Sequence, residues 1–275
     1  MYDLSVGVIV SIRDLVEGGA NLIKDLGIDT CQVNCWNMDM YTEENAKKLM
    51  DIMDEGIKIT DLWAGWTPPT YWNFIEGPIT LGLVPASYRA ERINCLKKGA
   101  DFAKMIGVSG ITTHVGFIPE NPSSQEYYDT VIAVREVAAY CRRLGLNFNF
   151  ETGQETPITL IRIMEDVGLD NLGINLDPAN LLMYGKANPV DAVDIYKDRV
   201  KNVHVKDGVY PVDGRELGEE KPIGDGLVNF PELIKKLHKY GFNGALIIER
   251  EISGPQQKVD ILKARNLLNE IMKQN

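Results

Sequence analysis

Three segments of the chain alternate strictly and end on an ionisable residue: NFNFE (147–151), LGINLD (172–177) and VKNVHVK (200–206). Phe148 and Phe150 oppose Asn147, Asn149 and Glu151. Leu172, Ile174 and Leu176 oppose Gly173, Asn175 and Asp177, and Val203 and Val205 oppose Asn202, His204 and Lys206. A period of two with one apolar and one polar face is that of a β-strand. ALIIERE (245–251) adds Glu249 and Glu251 in phase with Ala245 and Ile247. If the four strands are neighbours, Glu151, Asp177, His204 and Glu249 converge on one point. Three carboxylates left there unpaired repel each other and cannot all ionise cheaply. One divalent cation resolves that conflict. Oxygen-rich ligation with a single imidazole suits Mn²⁺ first, then Mg²⁺ or Co²⁺, and Zn²⁺ is also accommodated. Any one of these residues alone would read as a salt-bridging strand end; four in phase at equivalent positions read as one centre.

The elements that must position them follow in order. Strands are expected at 4–10, 30–36, 58–64 and 110–116, then at the four segments above. Helices are expected between them: one that Ser11 caps and Gly27 ends, one opening at Thr42, one over 86–107 and one over 123–145. Further helices start behind Thr156, over 189–199, over 230–241 and from about Gln256 to Lys273. Eight strand–helix units with reactive groups at strand C-termini predict a (β/α)8 TIM barrel, a single domain over residues 1–275. A doubly wound open sheet is the structural alternative, but no glycine-rich phosphate loop follows the first strand.

Composition bounds the ligand. A net charge of -10 among 275 residues argues against a nucleic-acid partner, whose phosphates need a basic surface. No apolar run is long enough to span a bilayer, so no membrane partner is expected, and the N-terminus reads as a strand with no signal peptide. Four cysteines without CxxC spacing are expected to be reduced thiols of a cytoplasmic protein.

Several motifs taken together are similar to the xylose-isomerase-like barrel superfamily, the sugar phosphate isomerase/epimerase group that includes the ketose 3-epimerases. They are FETGQET (150–156), NLDPANLL (175–182), NVHVKDG (202–208), GDGLVNFPELIKKL (224–237) and YGFNGALIIERE (240–251), with the helix YRAERINCLKKGADFAKMIG (88–107). The likeness runs over essentially the whole chain. It implies a sugar substrate, a homodimer or homotetramer, and one metal held by Glu151, Asp177, His204 and Glu249. It also implies that Glu151 and Glu249 double as acid and base. A metal on the substrate carbonyl and its neighbouring hydroxyl stabilises an enediolate; one Glu takes the proton, and its return decides between isomerisation and epimerisation. Asn180 stands where several such epimerases have histidine, and Arg215 lies farther along than their arginine. The alternatives on the same centre are an inosose-type dehydratase and a hydroxypyruvate-type isomerase; from another class, a non-catalytic sugar-binding barrel. A three-metal repair endonuclease needs more histidines than the three present.

A second set of residues is expected to touch substrate. His114, in THVG at the fourth strand's end, suits a sugar hydroxyl. Lys206 shares the face of His204, and Glu251 competes with Glu249 for its role. Trp66 is expected to stack on the sugar, within an aromatic group of Trp36, Tyr71, Trp72 and Phe74 that equally suits a subunit interface. Asn180 follows the Asp177 ligand. Arg215, in the charged loop 208–226, is the candidate anchor for a substrate phosphate or carboxylate. His238, among lysines, is expected at the surface.

Overall fold

The two-faced strands close a sheet because their apolar faces need a cover on one side only. In the computed structural model, which describes residues 4–274, eight parallel strands form a closed barrel. They are Ser5–Ser11, Thr30–Cys35, Lys58–Ala64, Gly110–Thr113, Asn147–Glu151, Leu172–Leu176, Val200–Val205 and Ala245–Ile248. The first and eighth pair with Ser5 beside Ala245, which completes the ring. The fold is a single-domain (β/α)8 barrel. Phe148, Phe150, Ile174, Leu176, Val203 and Val205 point outward and are buried beneath the helices, as the alternation requires. Burying each such side chain contributes about 1.5–3 kcal/mol.

The helices begin where small hydroxyl residues cap them. Ser11, Thr42 and Thr156 accept from the backbone N–H of Asp14, Asn45 and Thr159, satisfying donors that a helix start leaves free. The helix expected from Ser11 to Gly27 is broken: it runs over Ile12–Gly18, turns at Gly19 (φ 65°) and resumes as Asn21–Lys24. The fourth strand stops at Thr113, short of Gly116. Beyond it the backbone pairs with a loop instead, Leu83 N donating to Val115 O at 2.8 Å. Gly82 and Gly116 permit that approach, since a Cβ on either would lie about 2 Å from the opposite carbonyl oxygen. Unforeseen elements include short helices at Gly77–Thr80 and Pro178–Met183 and a small antiparallel ribbon pairing Asp207–Gly208 with Glu220–Lys221. The Asp207 carboxylate organises that ribbon's loop, accepting from the backbone N–H of Gly208, Gly224, Gly226 and Val228. No helix among the described residues is long and apolar enough to cross a membrane, and all four cysteines are buried and unpaired as disulfides.

Beneath the strand ends, the barrel interior is polar. Asp61 accepts from Gln32 Nε2 (2.7 Å), Thr112 Oγ1 (2.5 Å) and Asn149 Nδ2 (3.1 Å), and all four residues are buried. This layer is the floor on which the site rests.

Candidate metal centre and active site

Glu151, Asp177, His204 and Glu249 converge at the C-terminal ends of strands five to eight. One ligand atom from each lies within 4.8 Å of all the others. Asp177 has two tasks. Its Oδ1 caps the helix Pro178–Met183 by accepting from Asn180 N at 2.8 Å, and this turns Oδ2 into the cluster. His204 Nδ1 lies 3.0 Å from Glu151 Oε1 and 3.2 Å from a Glu249 oxygen, Oε2. Neither approach has hydrogen-bond geometry: His204 Nδ1, Asp177 Oδ2 and Glu249 Oε2 are buried without hydrogen-bond partners. Three orphaned donor atoms aimed at one point, at the cost buried polar groups carry when left unpaired, fit a divalent cation.

The orientation of His204 is set from below. Gln32 Nε2 donates to Asp61 Oδ1 at 2.7 Å, which leaves Gln32 Oε1 as the acceptor 2.7 Å from His204 Nε2. His204 Nε2 therefore carries hydrogen and Nδ1 faces the centre, the arrangement by which outer partners fix a metal-binding tautomer. Sequence reasoning passed over both Gln32 and Asp61. Part of the signal was there: Gln32 shares a face with Thr30 and Asn34 in TCQVNCW, and Asp61 with Trp63 in KITDLWA, but an irregularity between Ile59 and Leu62 breaks the strict alternation of the third strand. Gln32→Leu is expected to weaken metal binding about 10–100-fold by isothermal titration; an unchanged affinity would remove Gln32 from this role.

The electrostatics explain why the carboxylates can coexist. Burial pushes Asp177 up to about 8, with Glu249 and Glu151 adding to it against the Lys206 ammonium. Glu249 and Glu151 are also buried, yet end below their ordinary values, Glu249 because of Lys206 and His204, Glu151 because of His114 and His204. Burial would lower His204, but Glu151 and Glu249 outweigh it and raise it well above its ordinary value. Without metal, these surroundings favour the protonated forms of Asp177 and His204. The signs follow. Both folded-state values exceed the unfolded ones, so their contribution to metal-free stability is full at low pH and is lost as pH rises towards and past about 8. A metal must displace those protons, so its affinity rises over the same range. The gain in melting temperature on adding Mn²⁺ is expected to grow from pH 6 to pH 8; a gain that shrinks would contradict this proton inventory.

Around the centre, the remaining candidates divide. A cavity of about 800 Å³ opens above it, bordered by Glu151, Glu249, His114, Asn180 and Glu251. Lys206 lies behind this wall, fully enclosed, with Nζ 3.0 Å from Glu251, 3.4 Å from Glu249, 3.5 Å from Asp177 and 3.4 Å from Asn180 Oδ1. Burial lowers the His114 imidazole, and its Nε2 stands 3.6 Å from Glu151. Trp63, not anticipated, donates its Nε1–H to Glu151 Oε2. Trp66, the expected stacking residue, does not border the cavity: it is 1% exposed and packs behind Trp36, Trp63 and Trp72. Those three take the lining position instead. Arg215 is exposed on its loop and lies apart from the cavity, its backbone N bonded to Asp213. His238 is exposed on the helix Phe230–Lys239.

Comparison with known proteins agrees with the fold. The sequence profile of the xylose isomerase-like TIM barrel family matches residues 20–271. The crystal structure of a xylose isomerase domain protein from Planctomyces limnophilus is 34% identical, covers 98% of both chains and superposes with a TM-score of 0.91. A D-tagatose 3-epimerase-like protein shares the fold, with a TM-score of 0.76 at 22% identity over 98% of this chain and 97% of its own. An inosose dehydratase of Geobacillus kaustophilus is 27% identical over 147 residues, 47% of each chain.

Proposed function

This chain belongs to the xylose isomerase-like TIM barrel family, and from that premise we propose that it is a divalent-metal-dependent sugar isomerase or epimerase. The observation that carries the reading is the set of orphaned ligand atoms beneath a cavity that Glu151 and Glu249 both border. A bound divalent ion, Mn²⁺ by preference, would supply Lewis-acid stabilisation of the negative charge that develops on a substrate carbonyl oxygen.

The chain's own residues do the rest. Glu249 and Glu151 are held ionised at neutral pH, so either can accept a proton from carbon beside the carbonyl. They come from strands eight and five, three steps apart around the ring, and so reach a substrate from different sides. Return of the proton to the neighbouring carbon isomerises; return to the same carbon by the other carboxylate epimerises. Trp63 Nε1–H holds one Glu151 oxygen in place. Lys206 Nζ, between Asp177 and Glu249, balances charge that the ion alone leaves over. The aromatic wall excludes water from the intermediate.

A second reading, an inosose-type dehydratase, draws on the likeness to the Geobacillus protein. It shares the proton abstraction and differs in the fate of the intermediate, which loses a neighbouring hydroxyl as water. Solvent deuterium exchange into a panel of ketoses with Mn²⁺, followed by NMR, separates these. Exchange abolished by EDTA is expected, and the labelled carbon distinguishes isomerase from epimerase. Loss of water without rearrangement would favour the dehydratase. No exchange and no water loss on any sugar would overturn the reading.

A further inference from the structure

The cavity's walls carry information about its occupant that the metal centre does not. All four tryptophans of the chain cluster on one side of the cavity, Trp36, Trp63 and Trp72 lining it and Trp66 packed behind them. Trp36 lies 4.9 Å from Trp63, 5.3 Å from Trp66 and 6.2 Å from Trp72 between ring centroids, and Trp72 lies 5.1 Å from the His114 ring. Trp66 is wholly buried, while Trp36 and Trp72 are 42% and 39% exposed. This is a wall with a buried inner ring and an exposed apolar face. Such a face suits the C–H side of a polyhydroxy compound.

The charges oppose an anion. Besides Glu151 and Glu249, the cavity is bordered by Asp14, Asp25 and Glu251; its basic residues among those described are Arg250 and Lys258. Arg250 is already committed, with Nη1 2.9 Å from Glu220 and Nε 2.8 Å from Asp260. Lys206 is enclosed by three carboxylates. Lys258 stands on the exposed first turn of the final helix, with no second cation of the cavity left uncommitted beside it. With one divalent ion bound, the floor formed by Glu151, Asp177, Glu249, Glu251 and Lys206 still carries a formal negative charge. A phosphate dianion requires clustered donors and is repelled by such a surface.

We infer that the site takes an uncharged polyhydroxy carbonyl compound and discriminates against its phosphorylated counterpart, with the substrate's C–H face against Trp36, Trp63 and Trp72. This rests on the sugar-isomerase reading, since it names the substrate class of that same site.

Because every tryptophan belongs to this wall, intrinsic fluorescence reports directly on its occupancy. Mg²⁺-loaded protein is titrated with a panel of ketopentoses and ketohexoses, and with monophosphates of the same sugars. A saturable emission change is expected with a free sugar, and binding about tenfold or more weaker with its phosphate. The gap narrows as salt is raised, because the repulsion is screened. Trp72→Leu weakens the free sugar about five- to tenfold, the scale of a lost aromatic contact. Equal or tighter binding of the phosphates, or no saturable response to any free sugar, overturns the inference. Deuterium exchange on the same panel keeps the two readings apart. Exchange confined to phosphorylated sugars leaves the isomerase standing and removes this substrate class. Saturable binding of free sugars without exchange does the reverse.

Discussion

Glu249→Gln is expected to abolish proton exchange into substrate, lowering its rate by about 10³-fold or more, while the melting temperature stays within a few degrees. Glu151→Gln should behave alike. Each change keeps the shape of the side chain and removes the charge that accepts the proton. The barrel should tolerate it, because both side chains stand among other carboxylates and lose repulsion along with attraction. At position 151 a carbonyl oxygen also remains for the Trp63 Nε1–H. Both residues are also candidate ligands, so metal affinity falls as well. The comparison is therefore made at saturating Mn²⁺, checked by titration calorimetry. Full exchange activity in either variant under those conditions would take that glutamate out of the chemistry. Unfolding of both would assign them to structure.

Arg92 is expected to produce the largest stability effect outside the site. Its guanidinium is fully buried, with Nη1 donating to Gly82 O and Nη2 to Pro69 O, both at 2.8 Å. It also lies 5.4 Å from the centre of the Trp66 ring and 4.8 Å from that of Tyr88. Burial lowers it to about 10, still far above neutrality, so it remains a cation tying down the loop that carries Trp66 and Trp72. Arg92→Ala leaves those carbonyls without their donor and opens a cavity, a loss of about 3 kcal/mol or more. For a chain of this size that corresponds to roughly 6–12 °C in melting temperature. Arg92→Lys recovers only part of this, because an ammonium lacks the planar fork that spans two carbonyls. The tryptophan emission should shift to the red in Arg92→Ala even below the transition, as the loop loosens. Wild-type melting and emission would show that the loop is held by other means.

The barrel was legible because its cause is local. Strict alternation, capping residues and glycines recur along the chain, and each acts within a few residues of itself. Ser11, Thr42 and Thr156 cap the helices they were expected to cap, and strands three and five end where their patterns end. The helix after the first strand was misjudged because Gly18 and Gly19 outweigh an otherwise continuous pattern. The four ligand candidates also followed from phase: once strands five to eight lie side by side, inward residues at their ends must meet.

What surrounds those four was decided in three dimensions. The Asp61–Gln32–His204 chain joins residues up to 172 positions apart, and no local pattern states which way an amide points. Trp66 and Trp72 sit six residues apart in one irregular loop, yet one is buried and the other faces the cavity. Trp66 packs against the Arg92 guanidinium, which also binds the loop at Pro69 and Gly82; Trp72 packs instead against Trp36, Trp66 and His114 and turns to the cavity. Arg215 is held on a loop gathered around Asp207, while Lys206 is sealed among three carboxylates from the ends of the sixth and eighth strands. Sequence by itself determined the barrel and its reactive rim, because backbone geometry repeats every two residues. The charge, orientation and reach of the groups around that rim belong to the tertiary structure, because they depend on which distant side chains share one buried volume.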